Sequence, residues 1–271
     1  MFMRTVMATG IFWTIFAAGA QAAGPALGAV SLLPHRAVYD LSLEWASAQS
    51  GVEGLHGRFV YSFTGSDCAG YVTEMRMVTD IAREYGGVVT DQVSSSFEEK
   101  GAFAFSSTLF SDNALQSETV GEAQRTEKRA ISVTFGGDEA RAVELQDAEF
   151  PTEYMANVIL AAQNGRRAYE AVSFDGSGEE TMRAITLIGG REETEGGRAG
   201  WPITTAYFPM GAVSGDETPD YTVSMLLSAE GVSRDIVMDF GDFKMAGELT
   251  RLEPLEPAGC EAPPEALSSK P

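Results

Sequence analysis

The sequence predicts a mainly β protein, an antiparallel meander with one substantial helix. Three features of its 271 residues lead to this prediction. From His35 onward, many short segments alternate apolar and polar residues with a period of two, which is the pattern of a half-buried strand. The segment Phe150–Gly165 has helical spacing instead. The connections between the alternating segments are short, whereas parallel strands would need long crossovers.

The predicted strands share this alternation, and most of them end at Gly, Asp or Asn turn residues. Before the helix they are Ala37–Leu43, Arg58–Phe63, Gly70–Val78, Val88–Phe97, Phe103–Phe110, Leu115–Val120, Ala130–Phe135 and Ala140–Leu145. After the helix they are Ala168–Phe174, Thr181–Ile188, Ile203–Phe208, Tyr221–Leu227, Ser233–Phe240 and Asp242–Leu252. The Gly- and Glu-rich segment Gly189–Gly200 lacks periodicity, so we expect it to be an exposed loop.

The helix is predicted from its end signals and from its apolar stripe. Pro151 suits a first helical turn, and Glu153 complements the positive end of the helix. Gly165 is the type of residue that ends a helix. The stripe at helical spacing consists of Tyr154, Val158, Ala161 and Ala162.

The first residues predict export. Arg4 is followed by a short apolar run and an Ala20-x-Ala22 site, which is the layout of a secretory signal peptide over residues 1–22. A membrane anchor is the alternative, but the run is shorter than the roughly 20 residues that a spanning helix needs. We therefore expect a periplasmic protein without stable membrane insertion. Residues 23–260 are predicted to form a single domain, and the Ala/Pro/Ser-rich residues 261–271 a disordered tail.

The composition limits the choice of partner. The formal net charge is −20, with 39 acidic and 19 basic residues. Such a field repels nucleic acid and anionic membrane surfaces, so neither is an expected partner. An acidic surface that keeps an exported protein in solution explains this charge without any special role.

Two cysteines follow the leader, Cys68 and Cys260, at a separation of 192 positions. In an oxidising compartment an even pair favours one disulfide. Two separate buried thiols, or a metal pair, are the alternatives. The second is disfavoured because only two histidines, His35 and His56, accompany them and the spacing matches no zinc motif.

The sequence contains no recognised catalytic constellation. It has no phosphate-binding loop and no Gly-x-Ser-x-Gly elbow. Asp175–Glu180 offers oxygen ligands without the spacing of a calcium loop. His35 is expected to form structural hydrogen bonds, and His56 to lie solvated in a Gly54–Gly57 turn. We predict no catalytic residues, no cofactor and no metal site, and hence no enzyme.

Two aromatic segments allow two interpretations. Trp201–Phe208 and Met238–Phe243 would suit either an apolar ligand cavity or a β core. Core packing is the favoured interpretation, because aromatic side chains dominate such cores.

Several segments, taken together and in order, resemble the cell envelope integrity protein B (EipB) family of alphaproteobacteria. The segments that resemble it are Leu33–Leu43, Gly57–Tyr71, Phe150–Glu153, Ala161–Gly165, Phe174–Gly176, Trp201–Phe208, Gly231–Arg234 and Asp239–Phe243. Tyr154 stands where that family often has His, and Phe240 where Tyr is usual.

The resemblance implies a β-spiral, a long, highly curved, barrel-like antiparallel sheet that wraps one main α-helix. It also implies a disulfide from Cys68 to Cys260 and a periplasmic, non-enzymatic role in envelope integrity. A periplasmic tetratricopeptide-repeat protein is the implied partner. The fold is similar to that of lipoprotein carriers, which cradle acyl chains.

Three functional hypotheses follow. The first is a monomeric envelope factor that acts through protein–protein interaction, without turnover. The second is a carrier of a lipid or another hydrophobic ligand in a sheet-lined cavity. The third, a cell-wall hydrolase using carboxylates, depends on separations in space that a sequence does not supply.

Overall fold

The structure, a computed structural model, describes residues 30–127, 130–137, 140–193, 199–210 and 218–260. The predicted signal peptide (1–22) and the predicted tail (261–271) lie outside these residues. Within the described residues, no helix is long and apolar enough to cross a membrane.

Fifteen strands and one helix make up the described fold. Before the helix the strands are β1 His35–Ala46, β2 Val52–Ser66, β3 Gly70–Arg83, β4 Gly86–Glu99, β5 Ala102–Ser111, β6 Ala114–Arg125, β7 Ile131–Phe135 and β8 Arg141–Leu145. The helix α1 is Pro151–Gln163. After it come β9 Ala168–Ser173, β10 Met182–Ile188, β11 Glu192–Glu193, β12 Ala199–Pro209, β13 Tyr221–Ser228, β14 Ser233–Asp239 and β15 Phe243–Pro254.

All the strands belong to one antiparallel sheet, in the order β8-β7-β6-β5-β4-β3-β2-β1-β15-β14-β13-β12-β10-β9, with β11 added beside β12. The first and last strands, β1 and β15, therefore pair in the middle of the sheet. The two edges, β8 and β9, are neighbours in sequence, joined by α1. Between these edges the described residues form only a single bridge, Glu149 with Ser173, so the sheet stays open. The predicted fold class, one long curved sheet with one helix, is confirmed.

The sheet must curl strongly, because distant strands line one cavity. Ser107 on β5 and Tyr221 on β13 both line it. These strands stand seven places apart in the sheet order, which corresponds to about 33 Å in a flat sheet. Curvature thus gives the sheet a concave inner face, on which α1 packs with Val158 and Ile159 almost fully buried.

Two local predictions are wrong. The predicted loop Gly189–Gly200 contains a short strand, Glu192–Glu193, which pairs with Gly200 and Ala199. Gly54–Gly57 is not a turn but lies inside β2, where His56 pairs with Asp80 of β3.

The glycine at 57 has a packing reason. A Cβ at this position would overlap the Val78 carbonyl oxygen, so the residue allows close approach of two backbones. This glycine therefore serves strand packing and does not mark a turn.

A disulfide joins Cys68 to Cys260, as predicted, with 5.2 Å between the two Cα atoms. Cys68 lies in the turn between β2 and β3, and Cys260 follows β15. The end of the chain reaches this turn because β15 and β2 flank β1 on either side. The Ala258 amide donates a hydrogen bond of 3.1 Å to the Gly65 carbonyl. The disulfide therefore links two segments that are already in contact through their backbones.

We predict that Cys68→Ser lowers the free energy of unfolding by about 2–5 kcal/mol, because it frees a very long loop in the unfolded chain. Denaturant titration measures the change. Ser66→Ala is the matched control, since the Ser66 hydroxyl lies 3.3 Å from the Cys68 sulfur in the same turn. Equal stability of the two variants, or free thiols in the unreduced denatured protein, would contradict the prediction.

Candidate functional site

The main cavity lies on the concave face of the sheet and has a volume of about 490 Å³. Its lining comes from β2–β5, the start of α1, the loop after β9, and strands β13 and β14. This size is within the range of small-molecule sites, which span about 300–1,000 Å³.

Four methionines line the main cavity: Met75, Met77, Met155 and Met238. They come from β3, α1 and β14, so flexible thioether side chains surround the space from several directions. Unbranched methionine side chains adapt to apolar partners of different shape. Aromatic rings of Phe59, Tyr61, Phe105 and Tyr221 complete the apolar part of the lining.

A band of hydroxyl groups forms the polar part of the lining. Ser94 and Ser96 of β4, Ser107 of β5 and Thr73 of β3 line the cavity. The register pairs Thr73 with Ser96, and Ser94 with Ser107. The Ser94 and Ser107 hydroxyls lie 3.0 Å apart and share a hydrogen bond. The cavity therefore has an uncharged polar strip beside an apolar surface, which suits a ligand with both characters.

A buried carboxylate holds α1 against the sheet. Glu98, 2% exposed at the end of β4, accepts hydrogen bonds from the amides of Thr152 (2.8 Å) and Glu153 (2.9 Å). These are first-turn amides, which have no partner inside the helix. Since Pro151 and Thr152 also line the main cavity, Glu98 fixes part of its boundary.

Burial raises the pKa of Glu98 to about 7, against the pull of the two backbone hydrogen bonds, which lower it. Burial also raises the pKa of two neighbouring carboxyl groups, those of Glu149 and Glu153. Arg125 partly compensates by bonding to Glu153 at 2.5 Å and to Asp147 at 2.8 Å.

The role of Glu98 is not predicted from the sequence, because its local signal is weak. Gln92, Ser94, Ser96 and Glu98 share one side of β4 by alternation, and that side is the inner face. A charged residue pointing inward marks a special contact. However, its partners are 54 and 55 positions away, beyond the reach of any local pattern.

Two smaller cavities adjoin the main one. The helix cavity, about 200 Å³, lies between α1 and strands β12–β13. The acidic cavity, about 260 Å³, is lined in part by Asp175, Glu179, Glu180 and Asp220. Asp175 contributes to the lining of all three cavities, so they adjoin at this residue.

The loop that carries Asp175 is fixed by close packing. Gly176 has a positive φ of 74°, and a Cβ there would overlap the Phe105 ring. Phe174 is buried beside the same ring, with centroids 5.6 Å apart. The Asp175 carboxylate accepts a hydrogen bond of 2.9 Å from the Ser177 amide, which orients it.

Hydroxyl groups line the far side of α1. The Tyr154 hydroxyl lies 2.6 Å from that of Thr186, which lies 2.6 Å from that of Thr205. Tyr154 stands where the family often has His, and its hydroxyl finds a hydrogen-bond partner inside the core.

The structure assigns the remaining candidates to different roles. His35 is buried, and its Nδ1 lies 2.7 Å from the Leu33 carbonyl oxygen. This contact confirms the predicted structural role of His35. His56 is exposed, 3.5 Å from Asp80. Core packing is confirmed for Trp201. Tyr207 and Met238 are partly buried, pack against the core and also line cavities. Among the described residues, no group of three His, Cys, Asp or Glu side chains is arranged to hold a metal ion.

Comparison with known proteins identifies the family. The EipB-like family profile matches residues 26–256. The chain belongs to the EipB-like family. This EipB-like chain is 36% identical over 261 residues to the cell envelope integrity protein EipB of Brucella abortus (strain 2308), covering 91% of each chain. It also matches the crystal structure of a β-barrel-like protein of the domain of unknown function DUF1849 from Brucella abortus. That match has a TM-score of 0.80 and 33% identity, and covers 84% of this chain and 100% of the other.

We predict that Glu98→Gln flattens the pH dependence of stability. Because the pKa is about 7 when folded and 4.5 in its ordinary state, the folded chain binds this proton more tightly. Protonated Glu98 therefore contributes its full share to the free energy of unfolding below about pH 4.5. This contribution is lost as the pH rises through about 7, which lowers the free energy of unfolding by roughly 2–3 kcal/mol. Denaturant titrations at pH 4.5 and pH 8 measure it.

The exposed neighbour Glu99 provides the control, because Glu99→Gln should keep the pH dependence of the parent chain. A Glu98→Gln chain that loses as much stability as the parent between the two pH values would contradict the prediction.

Proposed function

We propose that this chain is a periplasmic factor that supports cell envelope integrity by binding a hydrophobic ligand, without catalysis. The envelope role is supported by the relative named a cell envelope integrity protein. The location is supported by the signal-peptide pattern and by the disulfide, which is typical of oxidising compartments. Osmotic-shock fractionation of cells tests the location.

The main cavity is the observation that carries the binding role. The sequence alone favours protein interaction, whereas methionine and aromatic side chains around an open space of about 490 Å³ favour a ligand. A sheet that needed only a packed core would fill this space with side chains, since protein interiors are close-packed.

The absence of turnover is supported by the chemistry of the lining. Around the main cavity, serine hydroxyls have no described histidine beside them to act as a base: neither His35 nor His56 lines it. The buried Glu98 is engaged by the helix amides rather than aimed at the cavity.

Filling the cavity tests the proposal. Met75→Trp places a large ring inside, whereas Glu74→Trp adds the same ring to the outer face of the same strand. We expect Met75→Trp to weaken binding of a fluorescent acyl-chain probe at least tenfold and Glu74→Trp to leave it unchanged. Fluorescence titration measures both affinities, and melting temperatures confirm folding.

Two results would count against the proposal. If the parent chain does not bind the probe, the ligand-binding proposal loses its basis. Equal loss in both tryptophan variants would place the probe elsewhere than in the main cavity.

A protein partner remains the second candidate, supported by the outer face of β4–β6. Four large apolar side chains are 43–55% exposed there: Val89, Val93, Leu115 and Val120. They lie on β4 and β6, with β5 between them, and apolar groups exposed together on one face can mark an interaction site. The resemblance noted above implies a periplasmic tetratricopeptide-repeat protein as this partner.

We predict that the double variant Val93→Asp/Val120→Asp reduces capture of that partner from periplasmic extract at least tenfold. Leu187→Asp is the control, because Leu187 is 60% exposed on the distant strand β10. Mass spectrometry identifies and quantifies the captured protein. Unchanged capture by the double variant would exclude this face.

A further inference from the structure

We propose that the ligand of the main cavity is a cationic amphiphile, an aliphatic chain that carries an ammonium group. This inference rests on the proposed ligand-binding function and adds the chemistry of the head group. The apolar chain would lie in the main cavity, and the ammonium group would lie at Asp175, where the cavity meets the acidic cavity.

Position singles out Asp175. The residue lines both the methionine-lined space and the acidic cavity. One oxygen accepts the Ser177 amide hydrogen bond, and the side chain forms no ion pair within the described residues. Asp175 is exposed to solvent and no described side chain neutralises its charge, so it is available to pair with a ligand cation that reaches this end of the cavity.

The charged residues that line the acidic cavity are all acidic. Glu180 and Asp220 line the acidic cavity beside Asp175 without a salt bridge in the described part of the chain, whereas Glu179 is paired with Arg141. Among the described residues, none of the three cavities has Lys, Arg or His in its lining. An anionic head group would therefore find no partner here, while an ammonium would find three carboxylates.

Aromatic rings provide a second, independent feature that suits an ammonium. Tyr207 and Tyr221, which line adjoining cavities, stack with ring centroids 4.6 Å apart. Ring faces attract ammonium groups within about 6 Å of the centroid.

The Tyr207 phenol is a polar group without a partner. It lines both the helix cavity and the acidic cavity, and its hydroxyl forms no hydrogen bond within the described residues. Burial raises the pKa of Tyr207 and that of Tyr221, and Asp175 adds to both effects. Both phenols therefore stay neutral, and the Tyr207 oxygen is free to accept a hydrogen bond from the ligand.

The experiment compares three ligands with the same twelve-carbon chain: dodecylamine, dodecanoate and dodecyl maltoside. Isothermal titration calorimetry below their critical micelle concentrations measures each affinity for the disulfide-bonded protein. We expect dodecylamine to bind at least tenfold more tightly than dodecanoate, with the neutral maltoside between them. Raising the salt concentration should narrow the difference, because exposed charges are screened.

Asp175→Asn tests the proposed position, since asparagine retains an oxygen for the Ser177 amide but removes the charge. We expect about tenfold weaker binding of dodecylamine, and unchanged binding of dodecyl maltoside, which shows that the cavity is intact. Glu84→Gln, in the exposed turn between β3 and β4, is the matched control and should change neither.

The outcomes separate this inference from the function beneath it. Equal affinity for all three head groups overturns the cationic preference but leaves the hydrophobic cavity in place. A loss of dodecylamine binding in Glu84→Gln equal to that in Asp175→Asn would also overturn it, because net charge alone would then account for the effect. If none of the three ligands binds, the proposed ligand-binding function is overturned as well.

Discussion

The docking of α1 onto the inner face of the sheet is the constraint on which the cavity depends. The helix joins the two edges of an open sheet, and its first turn borders the main cavity. Glu98 attaches this turn to β4 through two backbone amides. Burying a carboxylate for this purpose has a free-energy cost, reflected in its raised pKa. The fold retains it because the first-turn amides, buried beneath the sheet, need an acceptor.

Much of the fold could be predicted from local patterns. Alternation located most strands, and Pro151 and Gly165 bounded the helix, which spans Pro151–Gln163 in the structure. These signals depend on residues close together in sequence, where strand and helix periods are read directly. The disulfide between Cys68 and Cys260 followed from compartment and count rather than from geometry.

The site itself was largely hidden from the sequence. Whether Met238 or Tyr207 fills a core or lines a space depends on how tightly the sheet curls, and no residue pattern reports curvature. Asp175 lies in a Gly-rich acidic segment, and the local pattern there does not indicate a binding site. Its position at the junction of three cavities arises from strands far apart in the chain.

The order of strands has a consequence for folding. Strands β1 to β8 form one local meander and β9 to β15 form another, so each can assemble from neighbouring segments. The two are joined in the sheet only where β1 pairs with β15, near the opposite ends of the chain. Long-range pairings of this kind are slow to form, because the entropy of closing the loop comes first. Both ends of the described fold must therefore be available before the two halves can be united.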